Sequence, residues 1–243
     1  MKRYYKTPEG TIFDLYTDML AQKHLLIAGT TGSGKSVVIN GIITTALYSI
    51  PGNVEFILID PKRVELSEYK SLPHTLVHAT EINDIIKALQ YALDITNERY
   101  KRMEKAKQRK STDGHIYIII DELADIITTD KKRFVPLLQK LAMIGRAANM
   151  HIIAATQCPL RAIIPTEIKC CFDSKVALHT VNAQDSRNIA AFSGCELLPE
   201  YGQGYYIKPG NTTLYNIPMY SDSERQRIIS YWKKEKPHFR LFK

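Results

Sequence analysis

No apolar run in the 243 residues approaches the roughly 20 that a membrane-spanning helix needs, and no apolar leader core opens the chain. Direct membrane insertion of this chain is therefore not expected. Cys-x-x-Cys spacing is also missing. The four cysteines, Cys158, Cys170, Cys171 and Cys195, include an adjacent pair, a poor framework for zinc or for a disulfide. They read as reduced packing thiols, which fits a cytoplasmic protein. Internal repeats and low-complexity linkers are absent too. The simplest division is one domain over 1–243, with a lead-in at 1–20 and a closing helix and tail at 221–243. Acid is scarcer than base: 25 Asp and Glu against 33 Lys and Arg leave a net charge of +8, which points weakly to a polyanionic partner. Hydrophobic content of 44% and charged content of 24% are ordinary for a globular chain and argue against disorder.

What the chain does contain is an alternation of short apolar runs with amphipathic stretches. Runs at 24–28, 54–59, 117–120 and 152–155 read as buried strands, and each delivers polar residues to its carboxyl end. Helices are expected over 37–50, over 81 to about 110, and over about 131 to 148, from the spacing of their apolar residues. The last third carries short strands at 176–178, 205–207 and 213–217. A closing helix over 223–234 has Asp222 or Ser221 as its cap. The expected fold is α/β, a mainly parallel central sheet flanked by helices, with ligands at the carboxyl edge.

Three segments at that edge carry chemistry. Gly29-Thr30-Thr31-Gly32-Ser33-Gly34-Lys35-Ser36 matches the full P-loop pattern between a strand and a helix. Its glycines let backbone N–H groups turn inward on a phosphate at a helix start, which Val37 continues. Lys35 is placed to reach the β- and γ-phosphates of ATP, and the Ser36 hydroxyl to ligate Mg²⁺. The apolar strand ending in Asp121-Glu122 supplies a second metal ligand in Asp121 and a general base in Glu122. Gln157, after Thr156 at the end of the next strand, is a candidate sensor of the γ-phosphate. The dense basic run from Arg99 to Lys110 reads first as a solvated helix end.

Beyond the P-loop, the stretch from His24 to Ser36 resembles the FtsK/SpoIIIE family. So do Ile57-Leu58-Ile59-Asp60-Pro61-Lys62 with Glu65-Leu66 and Tyr69, and Ile120-Asp121-Glu122-Leu123-Ala124-Asp125. Gly145-Arg146-Ala147-Ala148, Ala155-Thr156-Gln157 and Asp185-Ser186-Arg187 follow in the family's order, and the resemblance covers roughly 10–220. It implies a RecA-like P-loop core and self-association into a ring, expected to be a hexamer, that passes double-stranded DNA through its pore. ATP in such rings sits between subunits, so the resemblance makes Arg146 the trans-acting finger, with Arg187 the second choice. The family usually has arginine after the sensor glutamine, where this chain has Cys158, and a basic residue where it has Ala183. Arg161, Lys169 and Arg187 are then the expected DNA contacts, since phosphates demand charge more than exact placement. The implied activity is ATP hydrolysis coupled to DNA translocation, in chromosome segregation or mobile-element transfer. A type VII-like protein-secretion ATPase and a partner-dependent ATP-binding module are the alternatives.

Overall fold

A computed structural model describes residues 5–6, 12–13, 15–157 and 164–235. In chain order the elements are β1 (Tyr5–Lys6), β2 (Ile12–Phe13), α1 (Leu15–Leu20), β3 (His24–Ala28), α2 (Lys35–Ser49), β4 (Val54–Ile59) and β5 (Thr75–Ala79). Then come α3 (Ile82–Lys105), β6 (His115–Ile120), α4 (Leu123–Ile144), β7 (Met150–Thr156), α5 (Thr166–Lys169) and β8 (Ser174–Ala177). The chain continues through α6 (Ala183–Ala190), β9 (Gln203–Lys208), β10 (Asn211–Asn216) and α7 (Asp222–Lys234).

Eight strands form one sheet in the order β10-β9-β8-β3-β7-β6-β4-β5. The six from β8 to β5 run parallel, and β9 and β10 add an antiparallel hairpin at one side. The expected mainly parallel sheet is therefore present. Its strands read as continuous apolar runs because both faces are covered. Successive side chains alternate between two cores. Leu25, Ile27, Phe56, Leu58, Tyr117 and Ile119 enter the core shared with α1, α2 and α7. Leu26, Ile57, Ile59, Ile118, Ile120 and Ile152 enter the core shared with α3, α4 and α5. The first core closes tightly: a Cβ at Gly41 of α2 would lie 2.1 Å from the ring of buried Tyr16.

Several boundaries differ from the sequence-based expectation. The helix expected from about 131 begins at Leu123, immediately after Glu122, and kinks at Asp130, whose backbone leaves the helical region (φ −150°, ψ 68°). α3 stops at Lys105, where Lys107 takes a left-handed φ of 53°. The closing helix is capped by Ser221: its hydroxyl accepts the Glu224 N–H while the Glu224 carboxylate accepts the Ser221 N–H. The basic run is also more than a solvated face. Arg99 is buried and donates to the Ala148 carbonyl at 2.6 Å, and Arg102 pairs with Asp113 at 2.8 Å.

Candidate nucleotide site

The P-loop joins the carboxyl end of β3 to the start of α2. Gly32 and Gly34 adopt left-handed φ values of 80° and 102°, conformations a side chain resists. The loop is pinned from both sides: Gly29 N–H donates to the Thr156 carbonyl and Thr30 N–H to the His179 carbonyl. Lys35 is buried, and its ammonium donates to the Gly29 and Thr30 carbonyls at 2.9 and 2.6 Å. Burial brings it down to about 8, even with Glu122 and Asp121 nearby holding it up. A cleft of about 350 Å³ opens here, lined by P-loop residues with Lys62, Glu65, Asp121 and Gln157.

Strand register sets the acidic wall of this cleft. Ile59 of β4 lies beside Ile120 of β6, which puts Asp60 next to Asp121. Burial, then Asp60, Glu65 and Glu122, push the Asp121 carboxyl up to about 7. No hydrogen bond reaches that carboxylate among the described residues, and Asp60 Oδ1 is buried without a partner. Ser36 and Asp121, which line the cleft, are the groups that could hold a divalent cation there, although no cluster of three or more His, Cys, Asp or Glu that could hold a metal ion lies among the described residues.

Glu122, by contrast, is almost fully satisfied. It is 2% exposed, accepts from the Thr156 hydroxyl at 3.0 Å, and takes the Gln157 N–H on both oxygens at 3.1 and 3.2 Å. Lys62 Nζ lies 3.4 Å from its other side. The Gln157 amide oxygen accepts from the Thr31 hydroxyl at 2.8 Å. P-loop, acid pair and the end of β7 are thus joined by direct contacts, and the structure brings Lys35, Ser36, Asp121, Glu122 and Gln157 together.

Arg146 is elsewhere. It is exposed in the 3₁₀ turn Gly145–Ala148, which precedes β7, while Gln157 follows β7. Seven strand residues separate the two ends, roughly 20 Å at the usual rise. There Arg146 borders a second cleft of about 400 Å³ with Lys23, His24, Met143, Glu167 and Asp173.

Residues 8–117 match the model of the FtsK/SpoIIIE family. The DNA translocase FtsK of Staphylococcus epidermidis (strain ATCC 12228 / FDA PCI 1200) is 35% identical over 255 residues, 93% of this chain and 32% of that protein. The DNA translocase FtsK of Vibrio vulnificus (strain CMCP6) is 32% identical over 267 residues, 93% of this chain and 27% of that protein. The chain belongs to the FtsK/SpoIIIE family. It spans about a third or less of the length of these relatives.

Solved structures agree on the fold of this FtsK/SpoIIIE chain. The pCW3 conjugation coupling protein TcpA, with ATPγS, superposes with a TM-score of 0.78 at 21% identity, covering 94% of this chain and 70% of that one. The cytoplasmic domain of the Thermomonospora curvata type VII secretion ATPase EccC gives 0.80 at 17% identity, covering 97% and 31%.

The expected DNA contacts are not brought together. Lys169 ends α5, which leads into β8, and exposed Arg187 lies on α6, which follows β8, so the strand separates them. Arg161 lies outside the described residues. In the sequence, Lys62 and Asp60 stand out only as part of the family pattern. Their position at the end of a strand adjoining β6 is the signal that marks them for the site.

Proposed function

We propose that this chain is an ATP-driven double-stranded DNA translocase motor, a single domain that hydrolyses ATP between copies of itself in a ring. One observation carries the reading: the phosphate loop, Asp121, Glu122 and Gln157 converge on one carboxyl-edge cleft, while Arg146 sits at the opposite edge. A finger so placed serves the site of a neighbouring copy. Repetition of that head-to-tail contact closes a ring, for which six copies is the expected number.

In this mechanism the P-loop N–H groups and Lys35 hold the phosphates, and Ser36 and Asp121 hold Mg²⁺, whose bound charge polarises the γ-phosphate. Glu122 accepts a proton from water as that oxygen attacks the γ-phosphorus and the bond to the bridging oxygen breaks. Arg146 of the neighbouring copy stabilises the charge on the transferred group. Gln157 passes the loss of the γ-phosphate to the segment that follows it. Duplex DNA is the partner, supported by the named activity of the FtsK relatives and by the net charge of +8. Among the described residues no helix is long and apolar enough to cross a membrane.

The test is ATPase rate against protein concentration, with and without linear duplex DNA, beside Glu122→Gln. A steep rise with both variables, lost in the variant, supports an assembling DNA motor. A rate indifferent to duplex DNA at concentrations where the protein is oligomeric contradicts it and favours the protein-secretion alternative.

A further inference from the structure

The loop after β4 holds a cation over the proposed base, and the fold invests several contacts in keeping it there. Asp60, fully buried, accepts the Leu66 N–H at 2.9 Å on Oδ2, and its own carbonyl accepts the Arg63 N–H at 3.1 Å. Arg63 takes a left-handed φ of 60°, unusual for a residue with a long side chain, and its guanidinium pairs with Glu81. Lys62 lies inside this tight turn. Its ammonium bridges Glu122 and Asp125, 3.4 Å from each, and it lines the same cleft as Lys35 and Ser36.

Resting on the hydrolysis reading above, we propose that Lys62 senses the nucleotide's terminal phosphate and latches the base Glu122 until that phosphate arrives. Lys62 is 39% exposed on its side chain, so it can swing without unfolding the turn that carries it. A γ-phosphate in the cleft gathers its negative charge on three oxygens of one centre and competes for the ammonium with two carboxylates that each hold it at 3.4 Å. The lysine exchanges its bridge for a charge-assisted bond to that phosphate. Glu122 keeps its bonds from Thr156 and Gln157 but loses its cation, which leaves a stronger acceptor for the proton of the attacking water. ADP lacks the phosphate and leaves the latch closed. The exchange requires the longer polyphosphate, so Lys62 confers a preference for ATP over ADP.

The experiment measures ATP and ADP affinities by competition with a fluorescent nucleotide, together with the steady-state rate, for wild type, Lys62→Ala and Lys62→Arg. Lys62→Ala should lose about tenfold of the ATP-over-ADP preference, the worth of one hydrogen bond to a charged group. ADP affinity should stay at the wild-type value and kcat should not fall, since Glu122 is then unlatched in every state, and Lys62→Arg should recover part of the lost preference. An unchanged ATP-to-ADP ratio in Lys62→Ala overturns the proposal, since a merely structural lysine would weaken both nucleotides alike. If wild type binds ATP yet never hydrolyses it, the hydrolysis reading fails, and the affinity ratio still decides whether Lys62 senses the phosphate.

Discussion

The two edges of the sheet place polar groups against the same buried strands and leave them in different conditions. At the carboxyl edge Asp121 receives no hydrogen bond among the described residues, Asp60 Oδ1 has no partner, and Lys35 is bonded to the carbonyls of its own loop. At the amino edge polar groups are paired in series. His24 accepts the Ile152 N–H and donates to the Ala142 carbonyl. His151 donates through Nδ1 to the Gln22 carbonyl, so its Nε2 accepts from His115. Around the turn carrying Arg146, Asn149 donates to the Ser111 and Asp113 carbonyls and Arg99 to that of Ala148. The contrast is one of degree: at the carboxyl edge the unmet groups are acids beside the well-satisfied Glu122, whereas at the amino edge the unmet group is Arg99 Nε, 3.6 Å from Asp113.

Breaking each edge should give opposite signatures. The largest effect is at the carboxyl edge. Asp121→Asn should cut ATP turnover by at least about a hundredfold, as loss of a charge-stabilising group does, while raising the melting temperature of the nucleotide-free protein. The carbonyl-bonded Lys35 permits the same rate loss in Lys35→Ala, read in the same ATPase assay. At the amino edge, Asp113→Ala removes the carboxylate paired with Arg99, which is 4% exposed and keeps only its bond to the Ala148 carbonyl, and should cost about 3 kcal/mol in denaturant unfolding.

Acidity acts on the two edges with opposite sign. Burial, then His115, brings His151 down to about 4, so the amino edge loses stability as pH falls from its unfolded value near 6.5 toward 4. Asp121, raised to about 7, acts with the other sign: its contribution is complete below the unfolded value near 3.8 and is lost as pH rises through 7. Stability measured between pH 5 and 7 should therefore rise more steeply with pH in Asp121→Asn, and less steeply in His151→Gln, by at most about 1.4 kcal/mol per pH unit. The smallest effect lies outside both edges. Ser221→Ala should cost about 1 kcal/mol through loss of the cap of α7, with the ATPase rate unchanged.

Much of the carboxyl edge was legible because its chemistry is contiguous in sequence: a P-loop, an acid pair and a strand-end glutamine each sit where an apolar run stops. The register of Ile59 beside Ile120 turns those runs into one wall, an adjacency that belongs to the fold and not to the apolar runs themselves. The amino edge was harder to read. Arg99 looks like any member of a basic run, and its burial depends on Asp113, reached only when the loop before β6 folds back. The start of α4 is hidden in the sequence because Thr128, Thr129 and Asp130 are poor helix formers, and packing against the sheet overrides them up to the kink. β5 leaves little trace in the sequence because it is an edge strand whose residues are mostly half-buried, which weakens its apolar signal.

The central claim is that the two edges complete each other between copies. Mixing Arg146→Ala with Glu122→Gln, each inactive alone, tests it most directly. In mixed rings some interfaces pair an intact Glu122 with an intact Arg146, so DNA-stimulated ATPase activity should reappear and peak near equal proportions. A mixture no more active than the sum of its parts, under conditions where the two variants co-assemble, would contradict the account.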